Sequence, residues 1–118
     1  MKKENTVSRK IKANVVIKGR KIDTIWFDLK HIECGWDESK RDYSNPPKAG
    51  HTRFSEEEVV GFFGQLESFS SYKEVTPKKM NEQRFAFKVY DSDLSYTMIV
   101  SLYDNLPKNA VIITIYKK

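Results

Sequence analysis

The chain has 118 residues and 13.8 kDa, within the span of one domain, and its 39% hydrophobic and 31% charged residues exclude collagen-like, low-complexity and disordered classes. One cysteine and two histidines give neither an internal disulfide nor a zinc signature, so no metal and no cofactor is expected. The net charge of +5 arises entirely within residues 1–50, which hold 12 Lys/Arg against 7 Asp/Glu, while residues 51–118 hold 9 of each.

The opening MKKENTVSRK has no apolar run of the kind a signal sequence requires, and no later stretch approaches a membrane span, which predicts a cytoplasmic protein with no membrane partner. Within residues 1–21, Lys2, Lys3, Arg9, Lys10, Lys12, Lys18, Arg20 and Lys21 are opposed only by Glu4. Such a density either attracts phosphate backbones or an acidic protein, or simply keeps an edge strand soluble. Over residues 9–17 the apolar side chains Ile11, Ala13, Val15 and Ile17 alternate with Lys10, Lys12 and Asn14, the period of a half-buried strand. After a turn at Gly19-Arg20, residues 22–32 resume the pattern, with Ile25, Phe27, Leu29 and His31 on one side and Trp26, Asp28 and Lys30 on the other. This predicts a basic β-hairpin over residues 1–32.

Residues 33–53 lack periodicity and contain Pro46-Pro47 and two glycines, which predicts a long loop. Cys34 has no second cysteine or obvious base beside it and reads as inert. Asp37, Glu38 and Asp42 are interleaved with Lys40 and Arg41 and fit a solvated loop better than a calcium site. Trp36 and Tyr43 either stack on a base or partner or cap the core. At Ser55 a capping box opens: its hydroxyl can accept from the amide three residues on, and Glu58 can reach back. Val59, Phe62, Phe63, Leu66 and Phe69 then form a helical stripe despite Gly61 and Gly64. Strand-like segments follow at 71–75, 83–90, 96–103 and 110–116. Their short links predict antiparallel neighbours. The expected fold is a single α+β domain in the order β-β-α-β-β-β-β, one helix on a mostly antiparallel sheet: hairpin 1–32, loop 33–53, and helix plus four-stranded sheet 54–118.

Alternation separates the faces of that sheet. Phe85, Phe87, Val89, Met98, Val100, Leu102, Val111, Ile113 and Ile115 form the expected core face; Arg84, Lys88, Tyr90, Thr97, Ser101, Tyr103, Thr114 and Tyr116 form the opposite one. The second set is basic, aromatic and hydroxyl-rich, the chemistry that binds phosphodiesters and stacks on unpaired bases, unless it is merely a solvated sheet face. Lys10, Lys12, Lys18, Lys48, Lys88, Tyr90 and Tyr103 are therefore candidate nucleic-acid contacts, with RNA the first expectation. His31, at the end of its strand, reads as structural. His51, in G-H-T-R-F-S beside Lys48 and Arg53, is the candidate base of a metal-independent ribonuclease, with Tyr116 as acid and Arg53 or Arg84 countering charge on phosphorus.

The stretch from His51 to Tyr116, with H-x-R-F, S-E-E-E-V, successive strands and a terminal V-I-I-T-I-Y-K-K, resembles the small ribonuclease toxins of the barnase/RelE-like superfamily. The resemblance implies an RNA endonuclease of toxin type acting without metal by 2′-hydroxyl attack, with His51, Arg53, Arg84, Thr114 and Tyr116 in catalytic roles and a cognate antitoxin or other acidic protein as partner. The N-terminal hairpin is not part of the usual RelE-like unit. Open alternatives are a binding module for nucleic acid and an interaction protein that adds a strand to its partner.

Overall fold

A computed structural model describes residues 8–66 and 72–117; Lys2, Lys3, Glu4, Phe69, Ser71 and Lys118, singled out above, lie outside the described residues. The chain runs β1 (Ser8–Ile17), β2 (Arg20–Asp28), α1 (Leu29–Cys34), β3 (Trp36–Asp37), β4 (Asp42–Tyr43), α2 (Glu56–Phe63), β5 (Tyr72–Val75), β6 (Glu82–Asp91), β7 (Leu94–Tyr103) and β8 (Leu106–Tyr116). The expected one-helix α+β arrangement is wrong. Among the described residues the protein is mostly sheet, with two short helices, a six-stranded mixed sheet in the order β1-β2-β8-β7-β6-β5 and a two-stranded β3–β4 pair. The hairpin is an integral part of that sheet, because β2 pairs with β8, and it does so in parallel.

Two local causes account for the difference. The alternation predicted to run through residue 32 stops at Asp28, whose Oδ1 accepts from the amides of Lys30 at 2.9 Å and His31 at 3.2 Å and so caps α1. A carboxylate that satisfies two otherwise orphaned amides favours a helix start over continued pairing. Gly35 closes the helix with φ +81°, its amide donating to the His31 carbonyl at 2.8 Å. The following segment is no open loop. It contains the two-stranded β3–β4 pair, and the Lys48 amide returns to the Cys34 carbonyl at 2.9 Å.

The second cause is a β-bulge in β8. Ile99 pairs with Thr114 but Val100 pairs with Ile112, leaving Ile113 as the extra residue. The phase of β8 shifts there, so Ala110, Ile112 and Ile115 enter the core, while Val111 and Ile113, expected inside, are only half-buried. Ile113 falls instead with Thr114 and Tyr116, outside the core.

The remaining core follows the alternation. Ile25, Phe27, Phe85, Phe87, Val89, Met98, Val100 and Leu102 are buried beneath Val59, Phe62 and Phe63 of α2. The Ser55–Glu58 capping box is formed as expected. Removing one large member of this core, as in Phe63→Ala, costs about 3–5 kcal/mol. The sheet curls enough that the ammonium of Lys18, just after β1, lies 4.8 Å from the ring centroids of both Tyr72 in β5 and Phe85 in β6.

Candidate functional site

On the face opposite the core, the register lines up Glu82 and Arg84 of β6 with Tyr103 and Ser101 of β7, and Ser101 with Val111 of β8. Glu82 and Arg84, two apart on one strand, share a face, and the Arg84 Nε donates to Glu82 Oε2 at 2.7 Å. The Ser101 hydroxyl donates to the same oxygen, and Oε1 accepts from the amides of Lys78 at 2.9 Å and Lys79 at 3.0 Å. Burial would raise the pKa of Glu82, but bonds from Ser101, Arg84 and the Lys78 amide, with the Arg84 charge, outweigh it and hold the carboxyl down at about 2. A buried carboxylate thus pins the 77–81 turn against the sheet and presents its lysines.

The opposite wall comes from the segment between β2 and α2. Gly50 pins it to the end of the sheet: the Lys117 amide donates to the Gly50 carbonyl at 2.8 Å, and a Cβ at Gly50, where φ is +85°, would lie 2.2 Å from the Lys117 carbonyl oxygen. This places the His51 ring on Tyr116, with centroids 5.8 Å apart at 28°. His51 Nδ1 lies 3.0 Å from the Ile32 carbonyl oxygen. Because a carbonyl only accepts, Nδ1 is the protonated nitrogen of the neutral tautomer, the one in which Nε2 has a lone pair to accept with. A Cβ at Gly35 would meet Lys48 Cδ at 3.0 Å and His51 Cε1 at 3.3 Å, so the bare glycine makes room for both.

Between these walls lies a cleft of about 560 Å³. His51, Arg84, Thr114 and Tyr116 line it together with Lys48, so four of the five candidate catalytic residues converge. Thr114 Oγ1 is buried and has no hydrogen-bond partner among the described residues. Arg53 does not reach the cleft: its side chain is 86% exposed and lies 3.8 Å from Glu33. The remaining candidates are spread elsewhere. Lys10 sits 5.3 Å over the Trp26 ring, Lys12 is exposed opposite Thr24, and Lys18 faces the other sheet edge. Lys88 shares a register row with Tyr116 across Thr97, but it is exposed and does not line the cleft. Tyr90 stands near the end of α2, where Gln65 brackets its backbone. Tyr103 is half-buried beside Glu82; burial, then the Glu82 charge, raises its phenol pKa.

Lys78, Lys79 and His31 line the cleft without having been expected there, as does Glu38, read above as part of a solvated loop and the one carboxylate of the lining; Trp36, weighed above as a base-stacking or core-capping residue, lines it too. His31 was expected on a strand but lies on α1, its ring parallel to Trp36 at 6° with centroids 5.9 Å apart. Burial lowers its pKa most, Asp28 opposes this, and His51, Lys48 and Arg84 lower it further. Cys34 is a poor nucleophile, because burial, then the Glu33 charge, raises its thiol pKa. Among the described residues no group of three or more His, Cys, Asp or Glu converges as a metal site, and no helix is long and apolar enough to cross a membrane. No protein-family model matches the chain, and no curated protein or solved structure matches it.

Proposed function

We propose that this cleft binds an RNA phosphodiester and cleaves it without metal, by attack of the 2′-hydroxyl on phosphorus. The observation that carries this reading is the convergence of His51, with Nε2 left as an acceptor, and four cations, Lys48, Lys78, Lys79 and Arg84, in one cleft. His51 takes the 2′-hydroxyl proton as the new O–P bond forms. The bond to the 5′ oxygen breaks, and Tyr116 protonates the leaving group, giving a 2′,3′-cyclic phosphate and a 5′-hydroxyl. Charge that builds on the phosphoryl oxygens meets the lysine ammonium groups and the Arg84 guanidinium, whose Nη groups have no other partner among the described residues.

The volume supports a single-stranded substrate. A cleft of about 560 Å³ is in the range that encloses small-molecule ligands and is far too small to enclose a duplex. Loss of RNA cleavage in a His51→Ala protein with an unchanged thermal transition supports the assignment, whereas undiminished cleavage removes His51 from it. RNA that stays intact yet binds with steep salt dependence assigns the cleft to binding alone.

A further inference from the structure

We infer that the substrate path continues out of the cleft across Trp26 to Lys10 and Lys12, so that the protein holds several nucleotides of a single strand rather than one. This rests on the phosphodiester reading of the cleft and names its substrate class. The carrier is the register of the sheet. Lys10 pairs with Trp26, Trp26 with Val111, Val111 with Ser101 and Ser101 with Arg84. One unbroken row of paired residues across five strands therefore connects an exposed lysine on the edge of the sheet to the arginine of the cleft. Four strand spacings make this about 19 Å, the length of a few nucleotides.

The row has a surface suited to a nucleic-acid strand. Beside the cleft lies a smaller hollow of about 140 Å³ lined by Trp26, Val111 and Ile113, and His31 and Ile113 line both, so the two adjoin. The β8 bulge places Ile113 at that junction. Trp26 is held in place by its Nε1–H, which donates to Asn109 Oδ1 at 2.6 Å. Lys10, 5.3 Å from the ring centroid, is an exposed cation on a flexible stem. A stacked base replaces it over the ring and releases its ammonium to the adjacent phosphate. Asp28 borders the hollow, but its carboxylate is engaged by the α1 amides and the Tyr43 hydroxyl. The basic excess of the first strand thereby acquires a direction, toward the cleft.

The test uses the His51→Ala protein with a fluorescent RNA dinucleotide and a single-stranded RNA octanucleotide, read by anisotropy. The octanucleotide is expected to bind at least about tenfold more tightly, since a further stack and two further phosphate contacts add to the affinity. Lys10→Gln with Lys12→Gln removes most of that gain and lowers the slope of log affinity against log salt by about 1.4, while dinucleotide binding is unchanged. Trp26 and Trp36 are the only tryptophans, so in a Trp36→Phe background the emission of Trp26 is quenched by the octanucleotide and not by the dinucleotide. Equal affinity for both lengths, unaffected by the lysine substitutions, overturns the path and leaves the cleft intact. Binding of neither overturns both. An RNA duplex that binds as tightly as the single strand, or polyglutamate that competes as well as RNA, also overturns it, the latter in favour of an acidic protein.

Discussion

Gly50 and Lys117 meet backbone to backbone, with the Lys117 amide 2.8 Å from the Gly50 carbonyl oxygen and no space for a side chain between them. That contact fastens the segment carrying His51 to the end of β8 beside Tyr116. Gly50→Ala should therefore destabilise the protein by about 2–4 kcal/mol, from the φ of +85° and the backbone clash together. Gly61→Ala is the contrasting case: it lies within α2, is exposed and has nothing within 4 Å of a new Cβ, so it should stabilise by about 0.5–1 kcal/mol. Thermal denaturation of the two variants checks both signs.

Glu82 is the anchor of the cationic wall and gives stability a pH dependence. Its carboxyl is held at about 2 in the folded chain, below its ordinary 4.5. The stabilisation is thus fully present above about pH 4.5 and is lost as pH falls toward 2. Glu82→Gln should cost about 1.5–3 kcal/mol at neutral pH, the worth of hydrogen bonds to a charged group. The difference from wild type should shrink across that acid window in urea titrations. A constant difference down to pH 2 contradicts the pairing.

His31 should titrate below its ordinary 6.5, chiefly through burial. The unfolded chain then takes up a proton at this position as pH drops past 6.5 while the folded chain resists, so His31 lowers stability on the acid side. Following the imidazole Cε1–H resonance by NMR locates the titration. Lys48→Gln, which removes one of the cations that depress it, should move it upward.

The two arginines assigned to the site should separate. Arg53 is 86% exposed in its side chain, with a single loose pairing to Glu33, so Arg53→Ala should change stability by less than about 0.5 kcal/mol and leave cleavage rates unaltered. Arg84→Ala leaves Glu82 buried without its cation and should both destabilise the fold and abolish turnover. Parallel cleavage and denaturation assays on the two proteins read this directly.

Much of this was legible from residues alone where a local rule acted alone. The Ser55 capping box, the alternation of β6 and β7, and the grouping of Arg84, Thr114 and Tyr116 opposite the core all follow from period and cap chemistry. Alternation misled where another local bond prevailed over it. Asp28 has the same place in the pattern whether it continues a strand or caps a helix, and only its two amide partners decide. Nothing in V-I-I-T-I-Y marks Ile113 as the bulged residue; the partnering of Ile99 and Val100 with β8 fixes that. Parallel pairing of β2 with β8 joins positions 85 apart and has no local signal. Lys78 and Lys79 fall in the short link between two strand-like segments, and their role depends on Glu82 folding beneath them. Their spacing to Glu82 was visible, but the burial of its carboxylate was not.

The central claim is metal-independent chemistry at His51, and end analysis of RNA products tests it most directly. Purified protein is incubated with mixed-sequence RNA in EDTA, and the fragment termini are resolved. Fragments ending in 2′,3′-cyclic phosphate with 5′-hydroxyl partners, absent when His51→Ala replaces the wild type, are the predicted result. Intact RNA under these conditions, or equal cleavage by both proteins, contradicts it.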